Sequence, residues 1–204
     1  MPAPYAASTE LDAVNQILSS VGQAPVTTLD LQNPEVAIVL TTLREVNKQV
    51  QAEGWNFNIE RGVKFPPDAS TKEIKYPTDV LQLDTTTATH RDEYNPVRRN
   101  GKFYDKTKHT FKWDKTIEAD VTKLFDFEDV PPAIQLYITA RAARLASNKM
   151  VGDTTLYQLL QEQEIQTRAA ALEYDCNQAD HSIFGWREGE NFYNNFQPFH
   201  ALMR

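Results

Sequence analysis

The chain has one cysteine, Cys176, in 204 residues, so an internal disulfide is impossible. Nothing therefore points to a secreted, disulfide-braced fold. A lone cysteine at a helical position is expected to act as a small buried hydrophobe. No apolar run approaches the roughly 20 residues of a membrane-spanning helix. The opening Met1-Pro2-Ala3-Pro4 lacks the basic-then-apolar pattern of a signal peptide, so synthesis and folding in cytoplasm are expected. The seven glycines form neither G-x-G-x-x-G nor G-x-x-x-x-G-K, which leaves no phosphate-cradling loop. The four histidines, His90, His109, His181 and His200, are scattered, and none stands at metal-ligand spacing from another histidine or from Cys176. No cofactor or metal is expected.

Catalytic chemistry is equally thin. The G-x-S-x-G elbow is absent. His181 lies five residues from Cys176, off its helical face, so a Cys-His nucleophile is not supported. Glu162 and Glu164 diverge on a helix. Glu188 and Glu190 converge if their segment is extended, which leaves a glycan hydrolase as one alternative. Close acid pairs are common on solvated surfaces, and a non-enzymatic role is expected.

What is present is an ordinary globular composition, 41% hydrophobic and 24% charged, enough for a real core. The net charge of -7 argues against a general nucleic-acid coat. The charge is uneven. Residues 86–115 carry eight Lys or Arg against four acids, and residues 151–204 carry three Arg against eight acids. Surfaces of opposite sign suit a subunit that meets unlike partners, although two solvated faces give the same pattern.

Helical punctuation is clear at the start. Thr9 and Asp12 form a capping-box pair, and Leu11, Val14, Ile17, Leu18 and Val21 follow at helical spacing. Gly22 supplies a left-handed stop, and Pro25 blocks continuation. A second helix opens at Asn33-Pro34-Glu35, carries Val36, Leu40, Leu43, Val46 and Val50, and ends by Gly54 with Trp55 anchoring the exit. After Pro131-Pro132 a third helix aligns Ile134, Tyr137, Ile138, Ala142 and Leu145. Gly152-Asp153 separates it from a fourth, whose apolar positions are Leu156, Leu159, Leu160, Ile165, Ala169, Leu172 and Cys176.

Between these helix pairs the period changes. Phe57–Glu60, Val63–Phe65, Ile74–Tyr76, Val80–Leu83, Thr110–Trp113 and Ile117–Phe127 are short, strand-like runs. Asn100-Gly101, between Val97–Arg99 and Lys102–Tyr104, predicts a tight hairpin because both turn positions need positive φ. This stretch interleaves cations with aromatics: Arg98-Arg99, Lys102-Phe103-Tyr104, Lys108-His109, Phe111-Lys112-Trp113. That composition fits a nucleic-acid-contacting sheet, the second alternative, and equally a sheet with charges outward and aromatics inward.

The last residues form an aromatic segment: Phe184, Trp186, Phe192, Tyr193, Phe196 and Phe199. Aromatics are costly to leave wet, so the segment packs on its own domain or on a partner. The expected fold is α+β: a bundle of about four helices, an inserted small antiparallel β region and an irregular aromatic arm. The expected boundaries are 1–56 and 129–180 for the two halves of the bundle, 57–128 for the β region and 181–204 for the arm.

Two stretches resemble the tail tubular protein A family of T7-like short-tailed bacteriophages. One is Glu10-Leu11-Asp12-Ala13-Val14-Asn15-Gln16-Ile17-Leu18 with Ser20-Val21-Gly22 and Pro25-Val26-Thr27-Thr28-Leu29; the other is Gly54-Trp55-Asn56-Phe57-Asn58-Ile59-Glu60-Arg61-Gly62-Val63. Weaker likeness continues to about residue 180 and fades in the aromatic arm. The resemblance implies a virion tail protein, an adaptor and gatekeeper that forms a twelve-subunit ring under the portal protein. Such a ring presents a platform to the tail nozzle protein (tail tubular protein B), with tail fibres attached near that junction, and helps retain DNA until ejection. It also implies transient contact with genomic DNA and no membrane partner. As interface positions, the aromatic arm (Phe184, Trp186, Phe192, Tyr193, Phe196, Phe199) and the hairpin cations Arg98, Arg99 and Lys102 are the candidates.

Overall fold

The structure is a computed structural model that describes residues 8–85 and 94–178. Four helices and two small antiparallel sheets make it α+β, as expected. In chain order the elements are α1 (Glu10–Ser20), α2 (Pro34–Gln51), β1 (Ile59–Phe65), β2 (Val80–Thr85), β3 (Pro96–Arg99), β4 (Lys102–Asp105), β5 (Ile117–Lys123), α3 (Pro132–Met150) and α4 (Thr154–Gln178). Short 3-10 turns at Asn56–Asn58 and Phe127–Asp129 join bundle to sheet.

The helix signals act as their chemistry requires. The Thr9 hydroxyl accepts from the Asp12 N–H, and the Asp12 carboxylate accepts from the Thr9 N–H. This reciprocal pair satisfies two otherwise free donors. Asn33 caps α2 through the Glu35 N–H, with Pro34 at the first helical position. Trp55 is buried at the exit of α2, and its indole N–H donates to the Val50 carbonyl at 2.7 Å.

One core lies among the helices. Val14, Ile17 and Leu18 of α1 meet Val39, Leu43 and Val46 of α2 and Ile134, Tyr137 and Ile138 of α3. α4 gives this core only Leu160 and Ala171 as buried residues, with Leu156 partly covered. A second core, Ile74, Tyr94, Phe103, Trp113, Ile117 and Ala119, lies under the β region.

β5 is the central strand of a three-stranded sheet ordered β1-β5-β2, and β3–β4 is a separate hairpin. Ile59 pairs with Thr122 and Phe65 with Ile117, with a bulge between Glu60 and Val63. At that bulge Gly62 takes φ +65°, and its N–H reaches the Asp120 carboxylate at 2.9 Å. Asn100 and Gly101 both have positive φ, 51° and 69°, as the two-residue turn requires.

Several strand boundaries differ from expectation. Phe57 lies in the 3-10 turn, so β1 begins at Ile59. Ile74–Tyr76 and Thr110–Trp113 make only isolated bridges, to Lys102 and Asp105 respectively. Each crosses the hairpin too briefly to extend a ladder: Phe103 N–H donates to Ile74 O, and Asp105 N–H to Thr110 O. β5 ends at Lys123 because the Phe125 backbone is captured by a side chain of α2.

The larger correction concerns α4. Of its apolar positions, Leu159, Ile165 and Leu172 are 60%, 61% and 47% exposed. Ala169 and Cys176 are exposed as well, so the expectation of a buried cysteine fails. The reason is position: α4 is the outermost helix and packs chiefly on α3, which covers only the Leu156–Leu160–Ala171 side. No described helix is long and apolar enough to cross a membrane.

Candidate interaction surfaces

The β3–β4 hairpin builds the first surface. Its register sets Arg99 opposite Lys102 and Arg98 opposite Phe103. Directly opposed residues share a face of the sheet, so Phe103 points into the second core while Val97, Arg99, Lys102 and Tyr104 share the outer side. There the Arg99 guanidinium stacks 4.1 Å from the Tyr104 ring centre, and Phe111 meets the same ring edge-on at 4.9 Å. The Tyr104 hydroxyl lies 3.5 Å from His109 Nδ1. Lys108 and Lys112, both exposed, flank this stack in sequence and line a neighbouring cleft of about 360 Å³.

The register splits the three hairpin cations: Arg99 and Lys102 share the outer face, and Arg98 lies on the Phe103 face. Lys102 is held by Glu73 at 2.6 Å. Arg98 stands 5.4 Å from the Tyr76 ring centre. Burial raises the Tyr76 phenol above its usual range, and the Arg98 charge pulls it partly back. Arg99, Lys106, Lys108 and Lys112 form no ion pair with any described residue. Of the aromatics interleaved with these charges, Phe103 and Trp113 are buried, whereas Tyr104 and Phe111 are half-buried. The inward-outward alternation therefore holds for half of them.

α4 builds the second surface. Ile165, Ala169, Leu172 and Cys176 recur at spacings of four, three and four. Those are the intervals of a coiled-coil seam, and they place all four on one face. Glu162 and Glu173 border this face, and neither forms an ion pair with a described residue. The opposite side of α4 is held largely by polar contacts: Arg144 binds both Glu164 and the Tyr157 hydroxyl, Arg168 reaches Glu53, and the Asp175 carboxylate accepts from the Asn56 N–H. The sequence carried a signal for the exposed seam. Apolar residues occupied two faces of α4, more than one core contact needs.

The aromatic arm candidates Phe184, Trp186, Phe192, Tyr193, Phe196 and Phe199 lie outside the described residues, as do Glu188 and Glu190. Among the described residues no group of three or more His, Cys, Asp or Glu is placed to hold a metal. A further cleft, about 490 Å³, is bordered by Glu10 and Arg44, which pair at 2.8 Å.

Among the described residues these two surfaces are exposed on an α+β fold with its own cores. The sequence profile of the tail tubular protein family matches residues 11–181, and the chain belongs to that family. It is a structural component of a bacteriophage tail, not an enzyme. It is similar to Tail tubular protein A of Klebsiella phage KP34, with 26% identity over 171 residues, which span 83% of this chain and 88% of that protein.

Proposed function

We propose that the chain is the adaptor between the portal protein and the tail nozzle protein, acting as one subunit of a twelve-subunit ring. The observation that supports this most is the pair of unlike faces left exposed among the described residues: the acid-bordered apolar seam of α4 and the basic, aromatic hairpin. A ring subunit needs two different faces, because each copy meets one neighbour with each. In this reading residues 1–56 and 129–180 form the bundle, 57–128 the β region and 181–204 an arm that contacts the portal. Tail fibres attach near the nozzle end, the ring helps retain DNA before ejection, and contact with the genome is transient.

The chain stays monomeric until the portal presents its template, since association must repay the ordering and lost freedom of each subunit. Electron microscopy of the purified chain, alone and mixed with its phage's portal, tests this. A ring at the distal end of the portal, absent without it, is the expected result. A folded chain that never binds the portal would remove the adaptor reading.

A further inference from the structure

We infer that these two faces bind each other between copies: the α4 seam of one subunit docks on the β3–β4 hairpin of the next. This inference rests on the ring reading and names its subunit contact.

Three observations carry it. First, the faces are complementary in charge. Glu162 and Glu173 border the seam without ionic partners, and Lys108 and Lys112 border the Arg99–Tyr104–Phe111 stack without any, among the described residues. Opposite patches of this kind fix register and suppress wrong pairings. Second, each face sets apolar groups inside its charged edge: Ile165 and Leu172 are 61% and 47% exposed on the seam, and Tyr104 and Phe111 are half-buried on the hairpin. Third, the faces lie on different parts of the fold. The seam is on a helix packed against α3, and the hairpin is seated on the second core. Each copy therefore offers its seam to one neighbour and its hairpin to the other, a head-to-tail contact that repeats around a ring.

The chemistry of the contact is that of a small interface core with a charged rim. Ile165 and Leu172 lose water against the rings of Tyr104 and Phe111, and aromatic anchors of this type dominate interface energies. Glu162 and Glu173 meet Lys108 and Lys112 at the edge, where they set orientation more than affinity.

The single cysteine makes the test direct. Cys176 lies on the seam, and Thr107→Cys adds one exposed thiol beside the hairpin stack without removing a rim cation. Rings of the full-length variant assembled on the portal are treated with a short bismaleimide. The expected product is a ladder of covalent multimers that is absent from the unsubstituted chain. Cross-linking of Cys176 to Cys176, cross-linking within one chain, or complete rings without cross-links would each overturn the contact while leaving the adaptor standing. Failure to form rings with or without portal would overturn both.

Two companion measurements hold if that variant misfolds. In the unsubstituted monomer, Cys176 should react with maleimide as an exposed thiol does. An unreactive monomer means the chain's own remaining residues cover the seam, and the proposal fails. Reversing the hairpin rim with Lys108→Glu and Lys112→Glu should lower ring yield about tenfold or more, and adding Glu162→Lys with Glu173→Lys should restore it. Normal rings from the first pair, or no recovery in the combination, would assign the hairpin to another partner.

Discussion

The side chain of Gln51 holds both backbone groups of Phe125. Its Nε2 donates to the Phe125 carbonyl at 2.9 Å, and its Oε1 accepts from the Phe125 N–H at 2.8 Å. Gln51 is fully buried at the end of α2, and Phe125 lies just beyond β5, so one amide serves as a strand partner across the junction of bundle and sheet. Asn58 reinforces it by donating to the Gln51 and Lys123 carbonyls while accepting from the Trp55 N–H.

Gln51→Leu should therefore destabilise the fold by about 2–4 kcal/mol. The apolar side chain leaves the Phe125 N–H and Asn47 Oδ1 without their partner and the Phe125 carbonyl with only Asn47 Nδ2 at 3.4 Å, at roughly 1–3 kcal/mol for each unsatisfied group. Urea unfolding checks this through a lowered midpoint at unchanged slope. A loss under 1 kcal/mol would mean that water reaches the junction.

α4 should be the least stable of the four helices. It buries few apolar side chains and depends on Arg144, which binds Glu164 and Tyr157, and on Arg168 with Glu53. Arg144→Met should raise amide exchange across residues 154–178 about tenfold or more while α1 and α2 keep their protection, because local opening follows local contacts. Uniform loss of protection in all helices would show that α4 folds as one unit with the rest.

Arg99→Ala should leave stability within about 0.5 kcal/mol, as surface substitutions usually do. The guanidinium stacks on Tyr104 at the surface and carries no ion pair among the described residues. Binding to portal and to further copies should fall, since the substitution removes an interface cation and the ordering of its aromatic neighbour. Calorimetry of the isolated chain together with the portal-binding assay separates the two effects. A large drop in melting temperature would make Arg99 a folding residue.

Tyr76 should ionise late. Burial favours its neutral phenol in the fold, and Arg98 opposes that shift. The neutral phenol thus contributes stability that is complete below the ordinary tyrosine value of about 10 and is lost as pH rises through the higher folded value. Arg98→Gln should push the Tyr76 titration higher still. Ultraviolet titration of phenolate, with Tyr76→Phe to assign the signal, reads the shift. An unchanged or lower value would show that Arg98 does not act on this ring.

Much of this fold is local and was legible for that reason. The Thr9–Asp12 box, the Asn33-Pro34 start and the Asn100-Gly101 turn each encode their geometry within a few residues, because capping and positive φ are properties of neighbouring atoms. The two outer runs of the β region, Ile74–Tyr76 and Thr110–Trp113, misled because strand length depends on how far a partner runs alongside.

The sequence by itself determined four helices, a hairpin and a tail-protein family. Only the tertiary structure decided which apolar residues stay wet. Periodicity places Ile165, Ala169, Leu172 and Cys176 on one face of α4 but is silent on what that face meets. Packing on α3 is claimed by Leu160 and Ala171, and no described residue covers the seam. Burial belongs to the arrangement of elements in space, so a helix with two apolar faces discloses which is core only when its neighbours are in place.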